Sequence, residues 1–425
     1  MSQAAYEQRL RDAVMDAAPL LDAKLLPVNV RSAALNRALA AGLPQLRDDL
    51  WRHADLKFLA AAPLAPSPAP PDLQPLLDAA RALLPAPTAG FTRVVFVNGR
   101  HAPSLSDDCP ELLAGTIPLV PERTRHERFG WLNDAFATGV ARLTLAGTRQ
   151  VEVLFANTAG DMPLAVYPRL EVMLEPGADV TLVERQVGAT GASGCINSAT
   201  QVHAGADSRC THLRWQSLAA DAQYLDTTQI ALDRNAHYAL SQLHLGGRSV
   251  RTSLRASLFG PGADFSLHGV SATTIRRTID CSLLVDHIAA RTVSRQVLRA
   301  LTRDRAHLAF RSRVEVARTA PGSVAQQSLK GLLGDAGAEI DLRPQIEIHT
   351  DDVQATHGAT TGALDENQRF YLMSRGLDAE TARALLEWAF LEDALRGITN
   401  PLLRRAAEQS VATALGSHIA QQAIQ

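Results

Sequence analysis

LEVMLEPGADVTLVE (Leu170–Glu184) and RASLFGPGADFSLHG (Arg255–Gly269) decide the fold class of this chain. Each sets Pro-Gly-Ala-Asp between two runs of alternating apolar and polar residues, and the copies stand 85 residues apart. Alternation at period two places successive side chains on opposite faces of a strand, so each run has one face to bury. The same texture extends from about Phe91 to His349, as in Val151, Val153 and Phe155, in Val314 and Val316, and in Ile346 and Ile348. The intervening turns are Gly-rich or polar, and no long helical period interrupts them. A chain of this kind builds either a sandwich or a stacked β-solenoid, and strand pattern alone does not choose. A solenoid carries one further requirement, because its two ends expose unpaired backbone groups and core side chains.

Both flanks read as helical and could cover such ends. Tyr6, Leu10, Ala13, Val14 and Ala17 recur at helical spacing before Pro19, which cannot continue the backbone ladder. A second helix is expected from Asn29, as N-cap, to about Ala41, with Gly42 closing it. Six prolines between Pro63 and Pro75 read as an extended, semi-rigid linker. Helices return after Leu364. Asp365 with Gln368 makes a capping-box-like start to a helix closed at Gly376. Asp378 caps another whose Ala382, Leu385, Leu386, Ala389 and Phe390 form an apolar stripe, and Asn400-Pro401 opens a last one. The expected division is a helical unit with its linker over 1–75, a strand-rich core with its lead-in over 76–362, and a helical unit over 363–425.

Composition narrows the function classes. The chain has 425 residues, 46% of them apolar, enough to bury a sizeable core. With 42 Lys plus Arg against 44 Asp plus Glu, charge gives no reason to expect nucleic acid or an acidic membrane as partner. No apolar run approaches the roughly 18–20 residues of a spanning helix, and the first residues carry charges where a signal peptide needs an apolar stretch. Four cysteines, Cys109, Cys195, Cys210 and Cys281, form no C-x-x-C pair, which suits a reducing cytoplasm. No phosphate-binding G-x-x-x-x-G-K-[ST] loop, G-x-S-x-G elbow or H-E-x-x-H occurs, and three lysines give Schiff-base chemistry little support.

Three clusters could carry chemistry. Cys210 and His212 share one face of a probable strand, with His203 nearby; they would suit a soft metal, or simply pack as a buried thiol and a corner histidine. Asp280, Asp286, His287 and His307 pair carboxylates with imidazoles, for acid–base work or for hydrogen bonds to turns. The richest segment is PQIEIHTDDVQATHGATTG (Pro344–Gly362). It ends the strand region and gathers His349, Asp351, Asp352, Thr356, His357 and Thr360 in what reads as a loop before the helices. A histidine in such a place is a candidate ligand or a partner of its own turn.

From Asp341 to Phe390 the run DLRPQIEIHTDDVQATHGATTGALDENQRFYLMSRGLDAETARALLEWAF resembles the C-terminal signature of the SufB/SufD family of iron–sulfur cluster assembly proteins. That signature has a Pro-Gln-apolar-Glu strand followed by D-D-V, S-H-G-A-T and F-Y-L-x-S-R-G. GLPQLRDDLWRHADL (Gly42–Leu56), VVFVNGRHAPSLS (Val94–Ser106), FGWLNDAF (Phe129–Phe136) and YPRLEVMLEPGADVTLVE (Tyr167–Glu184) resemble further family elements. The match is closer to the SufD branch, whose G-L-P…W element and V-N-G-R strand are present. The 144 residues after Cys281 offer no thiolate for a cluster.

The resemblance implies a mainly β fold, a right-handed parallel β-helix flanked by N- and C-terminal α-helical domains. It further implies a non-catalytic cytoplasmic scaffold in a SufBCD complex. Such a chain pairs with SufB through the β-helix end and docks the ATPase SufC on its C-terminal helices. His357 matches the histidine of S-H-G-A-T, a candidate ligand to a nascent cluster held transiently at the SufB interface, with no cofactor held stably by this chain alone. Ala355-Thr356 stand where many relatives read Cys-Ser, so no thiol role carries over. Asp351, Asp352, Thr356 and Thr360 are then candidates for the SufB contact, and Phe370, Tyr371, Arg375, Trp388 and Glu392 for the SufC contact. Homodimerisation in the absence of SufB stays open. The alternatives are a SufB-like cluster scaffold and, in another class, a β-helix enzyme acting on polysaccharide.

Overall fold

The computed structural model describes residues 2–45, 48–112, 120–158, 163–189 and 194–415. Residues 46 and 47 of the Gly42–Leu56 stretch, and 416–425 of the expected C-terminal unit, lie outside the described residues. Two long sheets carry the chain. The first runs β2 (Arg100–His101), β1 (Thr92–Val97), β4 (Thr148–Asn157), β7 (Asp179–Gly188), β9 (Arg209–Ser217), β11 (His237–His244), β13 (Asp264–Thr273), β15 (Val293–Thr302), β17 (Ser323–Leu333) and β19 (Val353–Ala363). The second runs β3 (Ala141–Leu145), β6 (Arg169–Leu174), β8 (Gly194–Ala204), β10 (Gln223–Leu232), β12 (Ser249–Leu258), β14 (Thr278–His287), β16 (His307–Val316) and β18 (Glu339–Ile348), with β5 (Leu164–Val166) beside β8.

The chain alternates between the sheets, and neighbouring strands pair in parallel, apart from the β1–β2 hairpin. This is a β-solenoid rather than a sandwich of hairpins. From β3 and β4 onward the register step per turn varies from 26 residues, Gln223 to Ser249, to 32, His307 to Glu339. The two Pro-Gly-Ala-Asp copies are three turns apart, through Asp179, Arg209, His237 and Asp264 in steps of 30, 28 and 27.

In each copy the glycine, Gly177 or Gly262, has a positive φ of 75° or 76°, and the following Ala178 or Ala263 is buried. Asp207, Asn235 and Arg291 hold the same left-handed corner in other turns. Glycine does so without a Cβ penalty, which the others must offset by stacking. Gly177 N–H donates to Ala206 and Asn235 N–H to Pro261 of the next turn, so the corners also form a ladder.

Helices lie along the flanks. α1 (Gln3–Ala17), α2 (Val28–Ala41) and α4 (Arg128–Phe136) pack Tyr6, Leu10, Phe129 and Phe136 against Leu225 on the second sheet's outer face and Tyr167 between β5 and β6. α3 (Gln74–Leu83) covers Val95 and Leu154 on the first. α5 (Glu366–Ser374), α6 (Ala379–Leu395) and α7 (Pro401–Ala414) follow β19, and Leu391, Leu395, Leu403 and Val411 pack on Leu213, Trp215, Leu243 and Val270 of the first sheet. Asp378 and Asn400 cap α6 and α7 as expected.

Several expectations need correction. The helices do not seal the solenoid's ends. The starting end is covered by the segment through Cys109 and Leu112, which bridges Leu143. The finishing end is bare among the described residues. Asn29 is not a cap, since α2 begins at Val28 after Pro27. The Pro-rich stretch is not a free linker: Leu64 is buried, its carbonyl accepts from Tyr167, Ser67 N–H donates to Ala165, and Pro75 sits in the first turn of α3. α4 interrupts the strand region, where tertiary packing overrides the local pattern. Ala389 is exposed, and the buried face of α6 runs through Ala382, Leu391, Ala394 and Leu395 with Glu387 paired to Arg303 beneath.

Candidate functional site

The terminal strands β18 and β19 have a hydrogen-bonded neighbour on one side only, β16 and β17 respectively. They are ten and eleven residues long, so two extended rows of backbone N–H and C=O groups face outward without a strand among the described residues to pair them. The inward apolar side chains lose burial with their cover. Leu308 and Val314 of β16 are fully buried, whereas Ile340, Leu342 and Ile346, one turn on, are only partly so, and Ile348 is 43% exposed. Val353 and Ala355 complete this end of the core from β19. Pro344 lies within β18, a residue that sheets confine to their edges.

His357 sits in this end face. The expected loop is instead strand β19, in unbroken register with β17 from Val353 to Ala363. His357 pairs with Gln327, between Ala355 beside Ala325 and Ala359 beside Leu329, whose side chains are in the core. Gln327 is buried, and its Nε2 donates to Gln296 Oε1 (3.0 Å) and Ser312 Oγ (2.7 Å). The register therefore runs an inward column from Gln296 through Gln327 to His357. The last member is exposed, since no further turn lies over it among the described residues. Its ring makes no hydrogen bond to the described residues, which leaves an imidazole nitrogen to accept a metal or a partner's donor.

The other predicted contact residues divide. Asp351 and Asp352 form the exposed corner between β18 and β19, and the Asp352 carbonyl accepts from Gly322. Thr356 and Thr360 register with Gln326 and Lys330, so they face the outer flank rather than the end. On α5, Phe370 (72% exposed) and Tyr371 (56%) stand beside Arg375, whose guanidinium lies 5.1 Å over the Tyr371 ring. Trp388 is half-buried in the flank cluster, and Glu392 is engaged by Arg404 (2.7 Å) and Arg396 (3.2 Å).

The remaining clusters are structural or dispersed. Cys210 and His212 face the interior together, but His203 points outward to Asp233 (2.9 Å). Burial pushes the Cys210 thiol up and His212 down, and His212 Nδ1 is bonded to the Tyr238 hydroxyl. Asp280 is held by Arg251 and Arg311, and Asp286 by Arg255, all on the outer face of the second sheet. His287 is inside, bonded to Thr292 and Ser294, with burial pushing it down to about 4. His307 joins neither and lies 2.8 Å from Asp341. Sequence reading missed its second neighbour, His53, because nothing in linear spacing links residues so far apart.

A sequence model described as "SUF system FeS cluster assembly, SufBD core domain" matches residues 155–390, more than half of the chain and the solenoid from the end of β4 onward. The chain belongs to the SufBD family. It is 25% identical to the iron–sulfur cluster assembly protein SufD of Escherichia coli, over 88% of this chain and 91% of that one. It is 27% identical to an iron–sulfur cluster assembly SufBD family protein of Synechocystis, over 90% of each. Protein ABCI7, chloroplastic, of Arabidopsis thaliana is 27% identical over 57% of this chain and 52% of its own length. This SufBD chain therefore shares its family's place in iron–sulfur cluster assembly. No helix among the described residues is long and apolar enough to cross a membrane.

Proposed function

We propose that this chain is a non-catalytic scaffold subunit of a cytoplasmic SufBCD complex, pairing with SufB through its terminal rung and docking SufC on α5–α7. The observation that carries this reading is the bare end of the solenoid, where two unpaired strands frame an inward column ending in exposed His357. A homologous solenoid end can continue both hydrogen-bond ladders by strand addition and cover the half-buried Ile340, Leu342 and Ile346. His357 would then lie inside the joined core, able to give one nitrogen ligand to a nascent cluster whose other ligands come from SufB. The cluster is cargo in this scheme. Asp351 and Asp352 would rim the joint, and Phe370, Tyr371 and Arg375 offer SufC an aromatic and arginine surface of the kind enriched in hot spots.

The test is co-expression of full-length chain, SufB and SufC, followed by native mass measurement and cluster reconstitution. The expected outcome is a stable complex with the wild-type chain, and with His357→Ala an intact complex whose cluster yield falls at least tenfold. Undiminished yield in the variant would remove His357 from the mechanism. Failure of the chains to co-purify would remove the pairing.

A further inference from the structure

His53, His307 and Asp341 come together on the outer face of the second sheet, at the turn next to the bare end. His307 opens β16, Asp341 lies on β18, and His53 belongs to the N-terminal segment laid across that face. His307 Nε2 is 2.8 Å and His53 Nδ1 3.6 Å from the same Asp341 oxygen, Oδ2, and one atom from each residue lies within 4.8 Å of the other two. The rings meet edge to face at 5.1 Å. Two nitrogens and an oxygen each about 2.1 Å from one ion would be separated by about 3.0–3.4 Å in octahedral to tetrahedral geometry. The two nitrogen–oxygen separations, 2.8 and 3.6 Å, bracket that range.

The ligand backbones are held independently of any ion. Trp51, two residues before His53, is buried under the Arg251 guanidinium at 4.4 Å and against Phe129 at 5.3 Å. The Leu50 carbonyl accepts from both Arg251 (3.0 Å) and Arg311 (2.6 Å). His307 is fixed by register between Thr278 and Glu339, and its N–H donates to Arg277. All three side chains are partly exposed, so an ion has an entry path and water can fill the remaining positions.

From these observations the geometry points to a divalent transition-metal site formed by His53, His307 and Asp341. Two imidazoles and one carboxylate suit a borderline ion such as zinc or ferrous iron rather than calcium or magnesium, which prefer oxygen. One carboxylate leaves the bound dication a net single positive charge, acceptable at a half-exposed site. The ion would staple the N-terminal segment to β16 and β18 and so stiffen the strand that borders the open end. This inference does not depend on His357 or on the pairing with SufB.

The probe is zinc with tag-free, full-length protein alone, and cobalt as its spectroscopic substitute. After dialysis against zinc and then metal-free buffer, wild type should retain one equivalent, show a raised Tm, and give visible cobalt bands of a nitrogen–oxygen site. His53→Gln and Asp341→Asn should each lower affinity at least tenfold and abolish the Tm shift. His349→Ala, which disrupts the separate group of Glu315, Glu347 and His349, should change nothing. If wild type retains no more metal than His53→Gln, the cluster is a hydrogen-bonded histidine–aspartate group only and the proposal falls. Loss of binding in His349→Ala alone would overturn it equally.

Discussion

Inside the solenoid, single residues carry charges that the core must neutralise. Arg214 is buried on β9 with its guanidinium donating to Glu184 (2.9 Å) and Asp226 (2.9 and 3.0 Å), both also buried. Burial works to lower its pKa, but Asp226 and Glu184 together hold it above the ordinary arginine value. Removing the arginine leaves two carboxylates in a low-dielectric interior, which costs far more than the group's net contribution to stability. Arg214→Met is expected to destabilise the protein by about 3–5 kcal/mol, measured as a lowered urea midpoint. A change within about 0.5 kcal/mol, the range of ordinary surface substitutions, would show that the network relaxes or hydrates. None of this pairing is legible in sequence, because Glu184, Arg214 and Asp226 stand on three different strands.

At the scale of elements, the informative strand is β19. Its inward residues Ala355, His357, Ala359 and Thr361 are small or polar, so its alternation carries no apolar signal, and VQATHGATTGA reads as a loop. Backbone pairing to β17, supplied only by the preceding turn, makes it a strand. The open edge also makes it the element at which partner addition should be most sensitive. Ala355→Asp would place a charge among Ile346, Val353 and the incoming partner's apolar residues, a device that protects natural edges from pairing. The isolated variant should unfold within a few degrees of wild type, since water already reaches that rung, yet lose at least 90% of its co-purification with SufB. Full retention of the partner would place the joint elsewhere.

For the whole molecule, stability should depend on pH through the interior histidines. His244 and His287 are buried and neutral, with burial pushing each down to about 4. Above the unfolded value of about 6.5 neither state binds these protons and the folded state keeps its full advantage. As pH falls from about 6.5 towards 4, the unfolded chain takes up protons that the folded chain refuses, so stability is lost at roughly 1.4 kcal/mol per pH unit per histidine at most. Urea midpoints should therefore drop between pH 7.5 and pH 5, and drop less in His287→Asn. Equal midpoints at the two pH values would mean that the rings are solvated or already charged in the fold.

The sequence by itself determined the mainly β core, the helical units that flank it, the caps of α6 and α7, and family membership. These rest on short-range facts: period-two alternation, Asp and Asn caps, and an almost ungapped run of fifty residues from Asp341 to Phe390. Strand pattern left sandwich and solenoid open and the resemblance pointed to the solenoid that is found; only the tertiary structure decided that the helices lie along its flanks and that, among the described residues, its last turn is left bare with His357 at the end of an inward column. It alone brought His53 to His307 and Asp341. The reason is that a solenoid turn varies from 26 to 32 residues with corners held by Gly, Asp, Asn or Arg. The stacking register is therefore set by hydrogen bonding between turns rather than by a fixed spacing along the chain.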